Sequence, residues 1–123
     1  MIDELLLIDD DAITNFVNQN IVEPIFKNIT ISVFYNGSQA LDHILSNPSV
    51  NYLIFLDLNM PVMNGWEFLE ALMPHKDKLH LTIHIISSSI DPEDINRAKV
   101  HPLVKSFIEK PLDHDALNAI IDW

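Results

Sequence analysis

Five short apolar runs, spaced evenly along the chain, constrain its fold more than any other feature. They occupy residues 5–8, 29–34, 52–56, 82–86 and 104–108. Each is too short for a core helix and nearly continuous, which is the pattern of a strand buried on both faces. Helical periods separate them. After Ala12, the apolar positions Ile13, Phe16, Val17 and Ile21 follow helical spacing, and Pro24 ends or bends that helix. Asn36-Gly37 marks a turn, and Ser38 is the expected cap of a second helix with a stripe of Ala40, Leu41, Ile44 and Leu45. Beyond Pro61 and Gly65, the positions Phe68, Leu69, Leu72 and Met73 share a face. Asp91-Pro92 opens a fourth helix, with a capping carboxylate and a proline in the first turn. The last helix follows Pro111, with Leu112, Ala116, Leu117, Ile120 and Ile121 on one side. Five βα units predict an α/β fold, an open parallel sheet with helices on both faces.

The chain has 123 residues and is 48% apolar, which fits one hydrophobic core and a single domain over residues 1–123. Its net charge of −11 argues against direct nucleic-acid binding, which needs clustered Lys and Arg. No cysteine is present, so thiol and disulfide chemistry are excluded. The start lacks the basic and long apolar stretches of a signal peptide, and no run is long enough to span a bilayer. A cytoplasmic location without membrane insertion is expected.

Ligands in open parallel sheets bind beyond the carboxyl ends of the strands. There the chain carries Asp9, Asp10 and Asp11 after the first run, Asp57 after the third, Ser87, Ser88 and Ser89 after the fourth, and Lys110-Pro111 after the fifth. Taken singly, each has a bland reading: a helix cap, a loop acid, a polar turn, an exposed lysine. Taken together at one sheet edge, they make a site for a hard cation and a phosphoryl group. Magnesium takes oxygen ligands. Carboxylates crowded together without a cation repel and raise a pKa. Phosphoryl transfer needs charge neutralised on three oxygens, which a metal and a lysine supply. Asp57 ends the central run and is the candidate nucleophile.

These residues carry a resemblance that spans the chain. The stretches LLLIDDD (5–11), FLDLNMP (55–61), MNG (63–65), IISSS (85–89) and FIEKP (107–111) resemble the receiver domains of two-component response regulators. The resemblance implies a flavodoxin-like (βα)5 sandwich with strand order 2-1-3-4-5. It implies that Asp57 is the phosphoacceptor, served by a sensor histidine kinase or a phosphotransfer protein. It implies Mg2+, with Mn2+ as an alternative, held by Asp9, Asp10, Asp57 and the backbone carbonyl of Asn59. Ser87 and Lys110 would contact the phosphoryl oxygens, Ser87 and Phe107 would form the switch pair, and Lys110-Pro111 would be a cis peptide. Asp11 would cap the first helix instead of binding metal. Such a protein catalyses only its own phosphorylation and dephosphorylation, and switches the binding of a downstream protein partner that the sequence does not name. The chain ends at Trp123, which leaves no room for an output domain, so a single-domain member is expected.

The resemblance departs from its pattern in two places. Residues 101–104 lack the glycine common before the fifth strand, and Ser87 stands where threonine is frequent. Of the six histidines, His80 and His84 have a spacing that suits metal on a helix but not on a strand, so structural or surface roles are expected. Trp66 reads as helix packing. The Asp91 helix carries only Ile95, Ala98 and Val100 as apolar anchors, which suits a movable output surface shared with the fifth strand and last helix. Two rival functions compete for the same residues. An aspartate-nucleophile phosphatase would need a general acid two residues after Asp57, where Asn59 stands. A vestigial, non-phosphorylatable interaction module would not need the full site.

Overall fold

The computed structural model describes residues 1–120. Ile121 and Trp123, which figure in the sequence reading, lie outside the described residues. Strands β1 (Glu4–Ile8), β2 (Thr30–Phe34), β3 (Asn51–Leu56), β4 (His80–Ser87) and β5 (Val104–Glu109) form one parallel sheet in the order β2-β1-β3-β4-β5. Helices α1 (Ala12–Val22), α2 (Gly37–Ser46), α3 (Gly65–Leu72), α4 (Pro92–Val100) and α5 (His114–Ile120) connect and follow them. This is the flavodoxin-like order expected. A short 3-10 helix, Met73–Lys78, extends α3 and has no counterpart in the sequence reading.

Alternation along each strand feeds two cores. Leu6 and Ile8 point to the layer of α2, α3 and α4, where Ile44, Phe68, Leu69 and Ala98 meet them. Leu5 and Leu7 point to the layer of α1 and α5, with Val22, Phe55 and Leu117. Because β1 and β3 are buried on both sides, their registers are pinned: a one-residue slip would exchange the two cores. The matched ends Ile8, Leu56 and Ile85 bring the residues after β1, β3 and β4 to one edge.

Two helix readings need correction. The cap of α2 is Asn36, whose side chain accepts from the Gln39 amide; Ser38 is the second helical residue. In α1 three of the four apolar positions with helical spacing face outward, while Ile21 packs against the core of the α1 and α5 layer. Ile13 is 74%, Phe16 67% and Val17 43% exposed, while Asn15, Asn18 and Val22 are buried. The spacing of Asn15, Asn18 and Val22 is itself helical, so the true inward face was present in the sequence with the wrong polarity. In α4 only Ala98 is buried, and Val100 is 81% exposed, so the helix is anchored more lightly than its sequence implied.

Candidate functional site

Backbone hydrogen bonds carry the sheet ladder into the site. The Asp57 amide donates to the Ile8 carbonyl at 2.9 Å, and the Asp9 amide donates to the Phe34 carbonyl at 3.1 Å. The Lys110 amide donates to the Ser87 carbonyl at 2.8 Å. Each chemical group is therefore fixed by the strand next to its own. Gly65 closes the edge from the α3 side, with its amide donating to the Leu58 carbonyl at 2.9 Å. A β-carbon there would lie 2.6 Å from the Asp57 carbonyl oxygen, so only glycine fits. Asn64 caps α3 in a reciprocal pair with Glu67, which aims this segment at the site.

Carboxylate oxygens of Asp9, Asp10 and Asp57 lie within 4.8 Å of one another. Asp9 and Asp57 are buried, whereas Asp10 is exposed. Lys110 Nζ lies 2.8 Å from Asp9 Oδ2 and 3.4 Å from Asp57 Oδ1. Burial, and then the negative charge of Asp9, raise the Asp57 carboxyl to a pKa of about 6, against the pull of Lys110. Burial works against the Lys110 ammonium, but Asp9 and Asp57 outweigh it and hold its pKa above the ordinary value. Asp11 is turned the other way. Its side chain accepts from the Ile13 amide and Thr14 hydroxyl at the start of α1, contacts that lower its pKa.

Ser87 is fully buried and its Oγ accepts from the Ser89 amide at 3.0 Å. Ser88 is exposed. Phe107 is half-buried against the α4-side core. The Lys110–Pro111 bond is cis. Asn59 is exposed at the mouth of the site. Between α3 and α4 lies a polar clasp that the sequence reading missed. Asp94 accepts from Trp66 Nε1 at 3.2 Å and from Ser89 Oγ at 2.7 Å, and Arg97 stacks 4.3 Å from the Trp66 ring centre. Trp66 was placed as packing, but the signal for Asp94 is only spatial, since the pair is 28 residues apart.

His80 is exposed and His84 is buried, with Nδ1 2.6 Å from Ser106 Oγ and the ring stacked on Phe55. Burial pushes the His84 imidazole down to about 4. Neither histidine joins the acidic cluster. A concavity of about 830 Å³ lies elsewhere, walled by Phe26, Leu53, His84 and Lys105. It lacks the convergent oxygen ligands of the strand-end site, so the chemistry points to the smaller place.

A cluster of carboxylates with one lysine, set at the carboxyl edge of a 2-1-3-4-5 parallel sheet, defines a flavodoxin-like α/β protein with an acidic strand-end site. The chain belongs to the response regulator receiver domain family, whose model matches residues 5–122, and it is a receiver domain of two-component signalling. Among solved structures, a two-component response regulator from Cytophaga hutchinsonii is 33% identical, with a TM-score of 0.81, covering 96% of this chain and 92% of that one. The Vibrio cholerae chemotaxis protein CheY4 shares the fold, with a TM-score of 0.78 at 20% identity over 97% of this chain and 95% of that one. The two-component response regulator ARR17 of Arabidopsis thaliana is 28% identical over 120 residues, covering 88% of this chain and 75% of that one. A protein-glutamate methylesterase/protein-glutamine glutaminase of Desulfotalea psychrophila is 42% identical over 69 residues, which is 55% of this chain. The chain spans 18% of that relative's length. Among the described residues, no helix is long and apolar enough to cross a membrane.

Proposed function

We propose that the chain is a phosphoacceptor, taking a phosphoryl group on Asp57 from a phosphohistidine of a sensor kinase or phosphotransfer protein in the cytoplasm. The observation that carries this reading is the convergence of Asp57 with Asp9, Asp10 and Lys110 within hydrogen-bond and ion-pair reach. In the transfer, the histidine N–P bond breaks as the bond from an Asp57 carboxylate oxygen to phosphorus forms, and the imidazole leaves. Asp57 attacks in its ionised form, and a carboxylate with a pKa near 6 is both largely ionised at neutral pH and more basic than a solvated one.

The donor set suits Mg2+, since three carboxylates within 4.8 Å offer only hard oxygen ligands. Asp9, Asp10, Asp57 and the Asn59 carbonyl would hold it, and Mn2+ would fit the same ligands. When bound, the ion neutralises charge on the transferring phosphoryl oxygens. Lys110 and the Ser87 hydroxyl hold the remaining oxygens. The phosphoryl group carries about two negative charges, a net gain of about one over the ionised carboxylate it modifies, and beside Ser87 it draws the hydroxyl inward and opens space for Phe107. The thinly anchored α4 then shifts with β5 and α5, and a downstream protein reads that surface. Only self-phosphorylation and self-dephosphorylation are catalysed: Asn59 sits where a phosphatase would need a general acid. The outward stripe of Ile13, Phe16 and Val17 begins two residues after Asp11 and stands beside the site, so we assign it to an apolar helix of the phosphodonor.

Mass spectrometry after incubation with acetyl phosphate and Mg2+ tests the reading. One added phosphoryl group is expected, and none on Asp57→Asn. Labelling of that variant at full yield would overturn the assignment.

A further inference from the structure

The sheet-facing side of α1 is polar where a core helix is normally apolar. Asn15 is 2% and Asn18 6% exposed. Asn15 Nδ2 donates to the Asp9 carbonyl oxygen at 2.7 Å. Its Oδ1 is buried and has no hydrogen-bond partner among the described residues. A buried amide with an unpaired acceptor is costly unless its polar atoms are needed. The Nδ2 donor meets the residue that carries the site. Asp9 takes the Lys110 ammonium on Oδ2 and the Asp11 amide on Oδ1, and its neighbour Asp10 is the exposed member of the carboxylate cluster.

Asn15 and Asn18 line a small space together with Asp9, Asp57, Leu7 and Ile86. It leaves about 10 Å³ for the centre of a water molecule, the scale of a single water. A buried water needs two to four polar partners, and this space offers two amides and two carboxylates.

We infer that Asn15 is a positioning residue for the acidic site, its Nδ2 fixing the Asp9–Asp10 turn while one buried water joins its Oδ1 to the Asp57 carboxylate from inside the fold. The water donates one hydrogen to Asn15 Oδ1 and the other to Asp57, and accepts from the Asn18 amide. Asp57 is thus held on two sides, by Lys110 at the mouth and by the water below. The inference rests on the phosphoacceptor reading and deepens it.

The test uses Asn15→Leu and Asn15→Ser in the full chain, with Mg2+ alone as the probe. Outer partners that orient metal ligands typically contribute about tenfold or more in affinity. Calorimetry should show Mg2+ affinity lower by about that factor in both variants. The melting temperature serves to confirm that each variant is folded, and the Mg2+ affinity decides. A purely structural residue would leave the Mg2+ affinity of the folded variants unchanged, which would overturn the inference. If Asn15→Leu does not fold, Asn15→Ser decides on affinity alone, and wild-type affinity there would overturn it equally. An atomic-resolution crystal structure should show density in hydrogen-bond reach of both Asn15 and Asp57; an empty space would overturn the water. Wild-type protein is the control. If it takes neither Mg2+ nor a phosphoryl group, the phosphoacceptor reading fails; if it takes both and the variants match it, only this inference fails.

Discussion

Lys110 Nζ lies 2.8 Å from Asp9 Oδ2, closer than to the phosphoacceptor candidate Asp57, at 3.4 Å. The lysine therefore occupies, as a fixed cation, part of the field a metal would use. Lys110→Met should raise Mg2+ affinity by a few-fold and slow phosphoryl uptake from acetyl phosphate by about a hundredfold, the scale for losing one donor at a developing charge. Calorimetry and timed mass spectrometry measure the two effects. Uptake at the wild-type rate would remove Lys110 from the transfer.

Two buried groups pull the acid stability of the metal-free chain in opposite directions. Asp57 has a folded pKa raised from 3.8 to about 6. Its contribution is fully present below 3.8 and is lost as pH rises through 6. His84 has a folded pKa lowered from 6.5 to about 4, so protons favour the unfolded chain and stability falls as pH drops through that window. The wild-type profile between pH 4 and 6.5 should fall only slightly on acidification, by about 1 kcal/mol. Asp57→Asn should expose the His84 loss, about 2–3 kcal/mol on acidification. His84→Gln should expose the Asp57 trend, a gain of about 1–2 kcal/mol on acidification after discounting for its partial solvation. Urea titrations in chelator at both pH values check this, and profiles of the same sign in both variants would contradict it.

Val62 stands at φ 70°, the left-handed region, at 82% exposure, in a tight turn where the Met63 amide reaches the Pro61 carbonyl at 2.8 Å. A β-branched residue is strained there and makes no compensating burial. Val62→Asn should stabilise the chain by about 1 kcal/mol, read as a higher thermal midpoint. A lower midpoint would show that the turn relaxes differently.

Phe16→Lys and Ile13→Lys change exposed positions on α1, so folding stability should stay within about 0.5 kcal/mol. Labelling by acetyl phosphate should be unchanged, while transfer from a phosphohistidine protein should slow. Equal transfer rates in wild type and variants would move the donor surface away from α1.

Much of this architecture was legible in residue order. The apolar runs at 5–8 and 52–56 could only be two-sided strands, and the polar residues beyond them could only gather at one edge. What escaped is instructive. Periodicity located α1 but not its buried face, because Ile13, Phe16 and Val17 keep the same period as Asn15, Asn18 and Val22. Hydrophobicity ordinarily breaks that tie, and here it breaks it the wrong way. The Trp66–Asp94 clasp and the His84–Ser106 pair are contacts between distant segments, and local pattern carries no record of them. Asn36 reads as part of a turn and Ser38 as the cap, yet both residue types cap well, and only backbone geometry decides that Asn36 does so.

Gly65 gives the chain a fixed origin. Its missing side chain is the gap through which α3 rests on the backbone of residues 57 and 58, so the start of that helix and the end of β3 are one rigid corner. In a library randomised across residues 61–65, survivors should therefore be monotonous at 65 and diverse at 62, two tolerances set a few ångströms apart by nothing more than which atoms stand in the way.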